Sequence, residues 1–196
     1  MNYYVSLAKE AAENYIKEGK IVTPANDLPK EFFNRKAGVF VTIEKCASSA
    51  HPPTRRKLRG CIGTYLPTRS NIAEEIIYNA ITAATEDYRF EPIEKEELPH
   101  LSYEVSILSE PKPIKDIKEL NPKKFGIIVK SQVFESGSDA IFNPAPKLYQ
   151  KTGLLLPDLE GIDTAEEQIS IACQKGGINS KTEKILIYKF SVEKYK

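Results

Sequence analysis

The chain has 196 residues, of which 41 % are hydrophobic and 28 % are charged, a composition typical of one folded domain that can bury a sizeable core. The 28 basic and 27 acidic residues nearly cancel, so a net charge of +1 excludes a global attraction to nucleic acid or to an anionic membrane surface. Three widely spaced cysteines with no CxxC pair disfavour both a disulfide framework and a dedicated zinc site.

The first predicted element is an amphipathic surface helix, which Gly19 is placed to end. The acidic residues of this helix argue against a secretory signal, and no apolar run approaches the roughly 20 residues that span a bilayer. We therefore expect a cytoplasmic protein with no membrane contact. A strand follows over "AGVFVTIEK", residues 37–45, because apolar side chains alternate there with other residues.

A second helix is predicted in "NIAEEIIYNAITAATEDYRF", residues 71–90. Asn71 and Glu74 have the spacing of a capping box at its start, and Pro92 discourages its continuation. The next segment, "LSYEVSIL" at residues 101–108, alternates cleanly and predicts a strand with one buried face.

The last third of the chain predicts short strands at "GIIVK" and "GLLLP", then a helix and a closing strand. Thr164 and Glu167 form a capping box at the start of that helix, and Gly176 is its expected end. The closing strand covers "EKILIYKFSVEKY", residues 183–195. Alternating strands mixed with helices predict an α+β fold, an antiparallel or mixed sheet flanked by helices, with a smaller subdomain joined near residues 109–125.

The stretch "LRGCIGTY" carries the main chemical hypothesis, since it places a cysteine between two glycines and after a positive charge. In an extended strand Arg59 and Cys61 share a face, and a cation beside a thiol favours the nucleophilic thiolate. Gly60 and Gly63 leave room for a ligand or for another backbone. The competing interpretation is structural, with Cys61 as a small buried apolar residue on a tightly packed strand.

Three further charged residues are candidates for the same site. Asp87 and Arg89 follow the second helix, where an opposite-charge pair either lines a pocket or ties down a loop. Glu104 lies on the polar face of its strand and is a site residue only if that face is covered. His51 and His100 are expected to be solvated loop residues rather than bases for the thiol.

A basic run offers a different function class. Arg55, Arg56 and Lys57 precede Arg59, and four cations within five residues can contact phosphates. Such runs are more often solvated loops, so nucleic acid is a disfavoured but open alternative.

The motif and its surroundings resemble the AMMECR domain family. The likeness includes "AGVFVTI", "LRGCIGTY", "NAITAATEDYRFEPIEKEEL", "YEVSIL" and "GLLLPDLEGIDTAEEQISIACQKGGI", and it spans roughly residues 4–192. It implies one AMMECR-like domain over residues 1–196, with the α+β fold given above. A departure from the family is an apparent inserted loop at residues 131–151.

The resemblance also implies a shared ligand or catalytic site and a set of partners. The residues carried over to this site are Cys61 and Arg59 as catalytic groups, with Gly60, Gly63, Asp87, Arg89 and Glu104 as ligand-binding groups. Neither a metal nor an organic cofactor is implied. The expected partners are a Memo-like protein and a radical SAM protein, and the role stays open between an enzyme, a non-enzymatic adaptor and a nucleic-acid-linked regulator.

Overall fold

A computed structural model describes residues 2–46, 56–135 and 147–196. Its helices are α1 (Tyr3–Glu18), α2 (Glu31–Asn34), α3 (Ile72–Thr85) and α4 (Ala165–Lys175), with short 3₁₀ helices at Lys95–His100 and Ile117–Glu119. The strands are β1 (Val39–Cys46), β2 (Arg56–Thr64), β3 (Leu101–Leu108), β4 (Lys112–Pro113), β5 (Gly126–Glu135), β6 (Lys147–Leu155), β7 (Ile185–Phe190) and β8 (Val192–Tyr195). The chain divides into two compact units, one up to residue 110 with residues 193–196, the other covering residues 111–192.

The described part of the first unit is built on one four-stranded sheet in the order β2-β1-β3-β8. Strand β1 pairs in antiparallel fashion with both β2 and β3. Alternate residues of β1 and β3 are buried in one core with α1 and α3, as the strand period predicts: Val39, Val41, Ile43, Tyr103, Val105 and Ile107. The helices therefore cover one face of this sheet, and the polar alternates of the same strands lie on the other.

Local signals in the sequence set the ends of the helices as predicted. Asn71 Oδ1 accepts a hydrogen bond of 3.0 Å from the backbone N–H of Glu74 at the start of α3. Gly19 follows α1 with φ of 70°, the left-handed conformation that glycine adopts without steric strain. Helix α3 ends at Thr85, before the residues that bind the backbone of β2.

The described part of the second unit contains a second four-stranded sheet, in the order β4-β7-β5-β6, with α4 in contact with β5 and β6. The Thr164–Glu167 capping box at the start of α4 and the end of this helix at Gly176 confirm the prediction. Helix and strand approach closely at Gly153, where an added Cβ would lie 1.8 Å from the carbonyl oxygen of Ala172. This spacing requires glycine because the obstructing atom belongs to the backbone.

Two segments differ from the sequence-based prediction. The closing strand divides into β7 and β8, because its two parts pair in different sheets. Residues 131–135 and 147–151 continue β5 and β6, so the segment predicted as an inserted loop begins and ends within paired strands. Residues 136–146 lie outside the described residues, as do His51, Arg55 and most of the loop before β2.

Helices combined with antiparallel sheets confirm the α+β class. One AMMECR-like domain over residues 1–196 stays a prediction. Among the described residues, no helix combines the length and the apolar character needed to cross a bilayer.

Candidate functional site

Strand β2 carries the LRGCIG motif and is an edge strand of the first sheet. It pairs with β1 through Thr42↔Cys61 and Ile43↔Gly60, and the next pair is Glu44↔Leu58. Arg59 is thus an extra residue, a β-bulge, without a partner on β1. A bulge interrupts the two-residue alternation, so a spacing of two no longer places Arg59 on the face of Cys61.

The Arg59 guanidinium binds residues that follow α3. It forms a bidentate pair with Glu97, with Nε 3.0 Å from Oε1 and Nη2 2.8 Å from Oε2. Its Nη1 also donates to the carbonyl oxygen of Glu91 at 2.8 Å, and Nη2 to that of Pro92 at 3.1 Å. Only 15 % of this side chain is exposed. The contacts hold the 91–97 segment, and the structure does not bring Arg59 to the thiol.

Glu97 is the anionic centre of that cluster. The Arg59 guanidinium lowers the pKa of Glu97 to about 2, with a further contribution from Lys45, whose Nζ lies 2.9 Å from Oε1. The same carboxylate accepts the backbone N–H of Glu94. A largely buried ion pair in which both carboxylate oxygens accept hydrogen bonds is typical of a structural role.

Cys61 is held by its backbone rather than by its side chain. Its N–H donates to Asp87 Oδ2 at 2.8 Å, and its carbonyl oxygen accepts from Arg89 Nη2 at 3.2 Å. Asp87 and Arg89 also form a bidentate pair of 2.9 and 2.7 Å. Both outward polar groups of this residue are therefore bound by one ion pair, which caps the edge of β2 at this point.

Hydrogen bonds rather than burial set the electrostatics of the Asp87–Arg89 pair, which is called the clamp below. The Asp87 side chain is 2 % exposed, and the Arg89 hydrogen bonds lower the pKa of its carboxyl to about 2 despite that burial. Asp87 in turn raises the pKa of Arg89.

The thiol lies half-buried on the face of the sheet opposite the helices. Its Sγ is 3.3 Å from Oγ1 of Thr42, its cross-strand neighbour. Thr42 pairs on its other side with Glu104, so Cys61, Thr42 and Glu104 form a row across three strands. Glu104 ends this row in an ion pair of 2.9 Å with Lys196.

Protein atoms fill the space where a side chain would lie at each of the two motif glycines. A Cβ on Gly60 would lie 2.1 Å from the carbonyl oxygen of Ala83 in α3, and one on Gly63 would lie 2.3 Å from the Phe40 ring. Of the two readings left open for these glycines, close packing accounts for both. They position the strand that carries Cys61.

The basic run is partly neutralised. Arg56 lies 3.6 Å from Glu44, and Arg59 is committed to Glu97, while Arg55 is outside the described residues. This leaves Lys57 as the exposed cation of the described part of the run without an ion pair. A phosphate-binding footprint gains no support from this arrangement.

Sequence reasoning missed three polar residues around the motif. Thr42 and Glu97 meet the motif through contacts 19 and 38 residues apart in the chain, which no local spacing reveals. Glu75 is 1 % exposed and accepts hydrogen bonds from Thr64, Thr68 and Arg69. A signal for Glu75 existed, since it lies within the apolar stripe of α3. Over the described ranges, no group of three or more His, Cys, Asp or Glu side chains is placed to hold a metal ion.

These features define an α+β protein whose motif strand presents a backbone-clamped cysteine on a polar sheet face. The family model described as AMMECR1 matches residues 5–195. The chain therefore belongs to the AMMECR1 family.

Relatives in other organisms share most of the chain. A protein from Thermotoga maritima is 46 % identical over 193 residues, which cover 98 % of this chain and 97 % of the relative. A Clostridium acetobutylicum protein is 39 % identical, and the match covers 98 % of this chain but only 36 % of that longer protein. The crystal structure of uncharacterized protein PH0010 from Pyrococcus horikoshii aligns with a TM-score of 0.76 at 33 % identity, covering 98 % of this chain and 88 % of that one.

Proposed function

We propose that the polar face of the first sheet is a small-molecule site in which the Cys61 thiol contacts or attacks the ligand. The observation that carries this proposal is the Asp87–Arg89 clamp on both backbone polar groups of Cys61. The clamp fixes the backbone of Cys61 at an outer strand of the sheet, while the residue itself is only half-buried. Such preorganisation is typical of a group that must meet a ligand in a defined geometry.

Thr42 and Arg89 are the polar neighbours of Cys61. If the thiol reacts as a thiolate, which has no proton to donate, the 3.3 Å contact requires the Thr42 hydroxyl to donate to sulfur. The Arg89 guanidinium, bound to the carbonyl oxygen of Cys61, takes the place beside this residue that the sequence-based hypothesis assigned to Arg59. Glu104, one strand beyond Thr42, offers a carboxylate to orient a ligand that lies across the row. The proposal therefore keeps Cys61, Asp87, Arg89 and Glu104 and assigns Arg59 to the support of the strand.

The test compares three thiols at neutral pH by site-resolved mass spectrometry after brief treatment with iodoacetamide. We expect Cys61 to be alkylated at least as fast as glutathione and about tenfold or more faster than Cys173, which is buried. A Cys61→Ser variant provides the blank and should unfold at the same denaturant concentration. Alkylation of Cys61 as slow as that of Cys173 in the folded protein would contradict a thiol that meets ligands.

The cellular setting of this site is part of the proposal. We infer a cytoplasmic protein, because a reducing compartment keeps such a thiol free. Memo-like and radical SAM proteins are the proposed partners, on the strength of the family resemblance. Affinity purification of the native chain and of the Cys61→Ser variant from cells tests both partners, and recovery of neither from wild-type cells would count against them.

An adaptor is the second candidate function, because exposed apolar side chains surround the motif. Tyr88 lies between the two clamp residues and is 93 % exposed, and Leu58 and Leu66 are also exposed. Exposed aromatic and apolar groups beside each other are common where proteins bind proteins. A Tyr88→Ser variant should lose bound partners while Cys61 alkylation continues at the wild-type rate. Retention of all partners would argue for the small-molecule site alone.

A further inference from the structure

A cleft in the first unit is lined by residues outside the LRGCIG motif. It has a volume of about 290 Å³ and is formed by α1 on one side and the 3₁₀ helix Lys95–His100 on the other. Leu98, Pro99 and Leu101 give it an apolar floor. None of its lining residues belongs to the Cys61 site, so its role is independent of the proposed function.

The charged lining of this cleft is unbalanced. Lys9, Lys17 and Lys95 contribute three ammonium groups, and Glu13 contributes one carboxylate, which leaves an excess of two positive charges. Glu13 lies 2.8 Å from Lys17 and 3.8 Å from Lys9. Lys95 approaches from the other helix and has no ion pair among the described residues. An excess of positive charge around one cleft favours the binding of an anion there.

A buried hydroxyl on β3, the strand that begins at the lining residue Leu101, has no hydrogen-bond partner among the described residues. Tyr103 is 6 % exposed, and its OH forms no hydrogen bond with the described residues. It lies two residues after Leu101, on the same face of β3. Burial raises the pKa of Tyr103, and the charge of Glu13 adds to that effect. A buried hydroxyl without a hydrogen bond is unfavourable. A small rearrangement that gives the Tyr103 hydroxyl an acceptor is therefore favourable.

We propose that this cleft binds a small polyanion, of the size of a phosphorylated metabolite, between the lysines of α1 and Lys95. The anionic groups replace Glu13 as the partner of Lys17, and Glu13 is then free to accept the hydrogen bond of the Tyr103 hydroxyl. The apolar floor contacts the uncharged part of the ligand. Two unsatisfied features, the excess positive charge and the orphan hydroxyl, are resolved by one binding event.

The experiment is a titration of the full chain with pyrophosphate at constant ionic strength, followed by NMR. We expect saturable shifts confined to residues 9–17 and 95–103, and roughly tenfold weaker binding for Lys95→Gln. The matched control is Lys20→Gln, because Lys20 is also an exposed lysine near α1 but pairs with Glu18 outside the cleft. No saturable shifts, or equal weakening by both variants, would overturn the proposal.

Two further variants test the exchange of partners. Glu13→Gln removes the competing carboxylate and should tighten pyrophosphate binding several-fold. Tyr103→Phe should leave the unbound protein at least as stable as wild type, since the hydroxyl is unpaired there, but should weaken binding about threefold. Unchanged affinity in Tyr103→Phe, in a variant that folds normally, would overturn the role of the hydroxyl.

Discussion

Arg59, within the motif, and Arg89, outside it, each form a bidentate pair with a carboxylate, but they hold different parts of the chain. Arg59 binds Glu97 and two loop carbonyls and is 15 % exposed, whereas Arg89 binds Asp87 and the carbonyl of Cys61 and is 42 % exposed. The first pair joins the strand to the loop after α3. The second fixes one residue whose side chain remains accessible. Bidentate geometry is therefore common to both arginines, and they differ in the backbone carbonyls that they also bind.

The largest effect should come from Gly60, which supports both pairs by letting β2 lie against α3. In Gly60→Ala the new Cβ would be 2.1 Å from the backbone oxygen of Ala83, and neither backbone can yield locally. We expect a loss of unfolding free energy of about 3 kcal/mol or more in urea denaturation. Gly19→Ala, at a left-handed helix end with open space, should lose only about 1 kcal/mol. Equal losses of unfolding free energy in the two variants would show that the close approach of β2 to α3 does not require glycine at position 60.

Acid should weaken both pairs, because each carboxyl has a pKa of about 2 in the folded protein, below its unfolded value. A depressed carboxyl pKa contributes stability above the unfolded pKa, and that stability is lost as pH falls from about 5 towards 2. Each pair should account for a loss on the order of 2 kcal/mol over this window. Glu97→Gln and Asp87→Asn should each flatten the acid limb of a plot of unfolding free energy against pH. An unchanged acid limb in both variants would contradict the ion-pair assignment.

Replacement of each arginine by lysine should distinguish the roles of Arg59 and Arg89. Lysine keeps the charge but cannot form the bidentate pair, so Arg59→Lys should lose about 1–2 kcal/mol of stability with no change in the alkylation rate of Cys61. Arg89→Lys should instead alter that rate about threefold or more, since it releases the carbonyl of Cys61. Denaturation and iodoacetamide kinetics on the same samples measure both quantities. The comparison fails if Arg59→Lys changes alkylation more than Arg89→Lys does.

The smallest expected effect on stability concerns Thr42. Thr42→Val preserves the shape of the side chain but removes the hydroxyl 3.3 Å from the Cys61 sulfur. Loss of a hydrogen bond to the thiolate, worth about 1 kcal/mol, should slow alkylation about fivefold with little change in unfolding. Thr64→Val serves as a control on the next strand, because its hydroxyl binds Glu75 and not the thiol. A faster rate in Thr42→Val would show that the hydroxyl shields the sulfur.

The features predicted correctly from sequence are those decided by neighbours in the chain. Asn71, Thr164 and Gly19 set helix ends through contacts within a few residues, and the alternation in β1 and β3 follows from a single buried face. The α+β class followed from these local patterns.

The parts that sequence could not give depend on pairing between distant segments. The bulge at Arg59 is defined by the pairing of β2 with β1. Simple alternation placed Arg59 beside the Cys61 thiol, and the bulge separates the two. Glu97 becomes its partner across 38 residues, a contact with no local signature. The break between β7 and β8 likewise depends on which sheet each half joins. Asp87 and Arg89 were found as a pair, but their hold on Cys61 was not.

The cap that Asp87 and Arg89 place on β2 has a consequence for the behaviour of the protein in crowded solution. An outer strand with free amide and carbonyl groups can recruit a strand from another molecule and so begin aggregation. Here those groups at Cys61 are already occupied, so a second chain finds no register in which to continue the sheet through this point. The same two side chains that bind the backbone of Cys61 thereby remove one position at which this strand could pair with another chain.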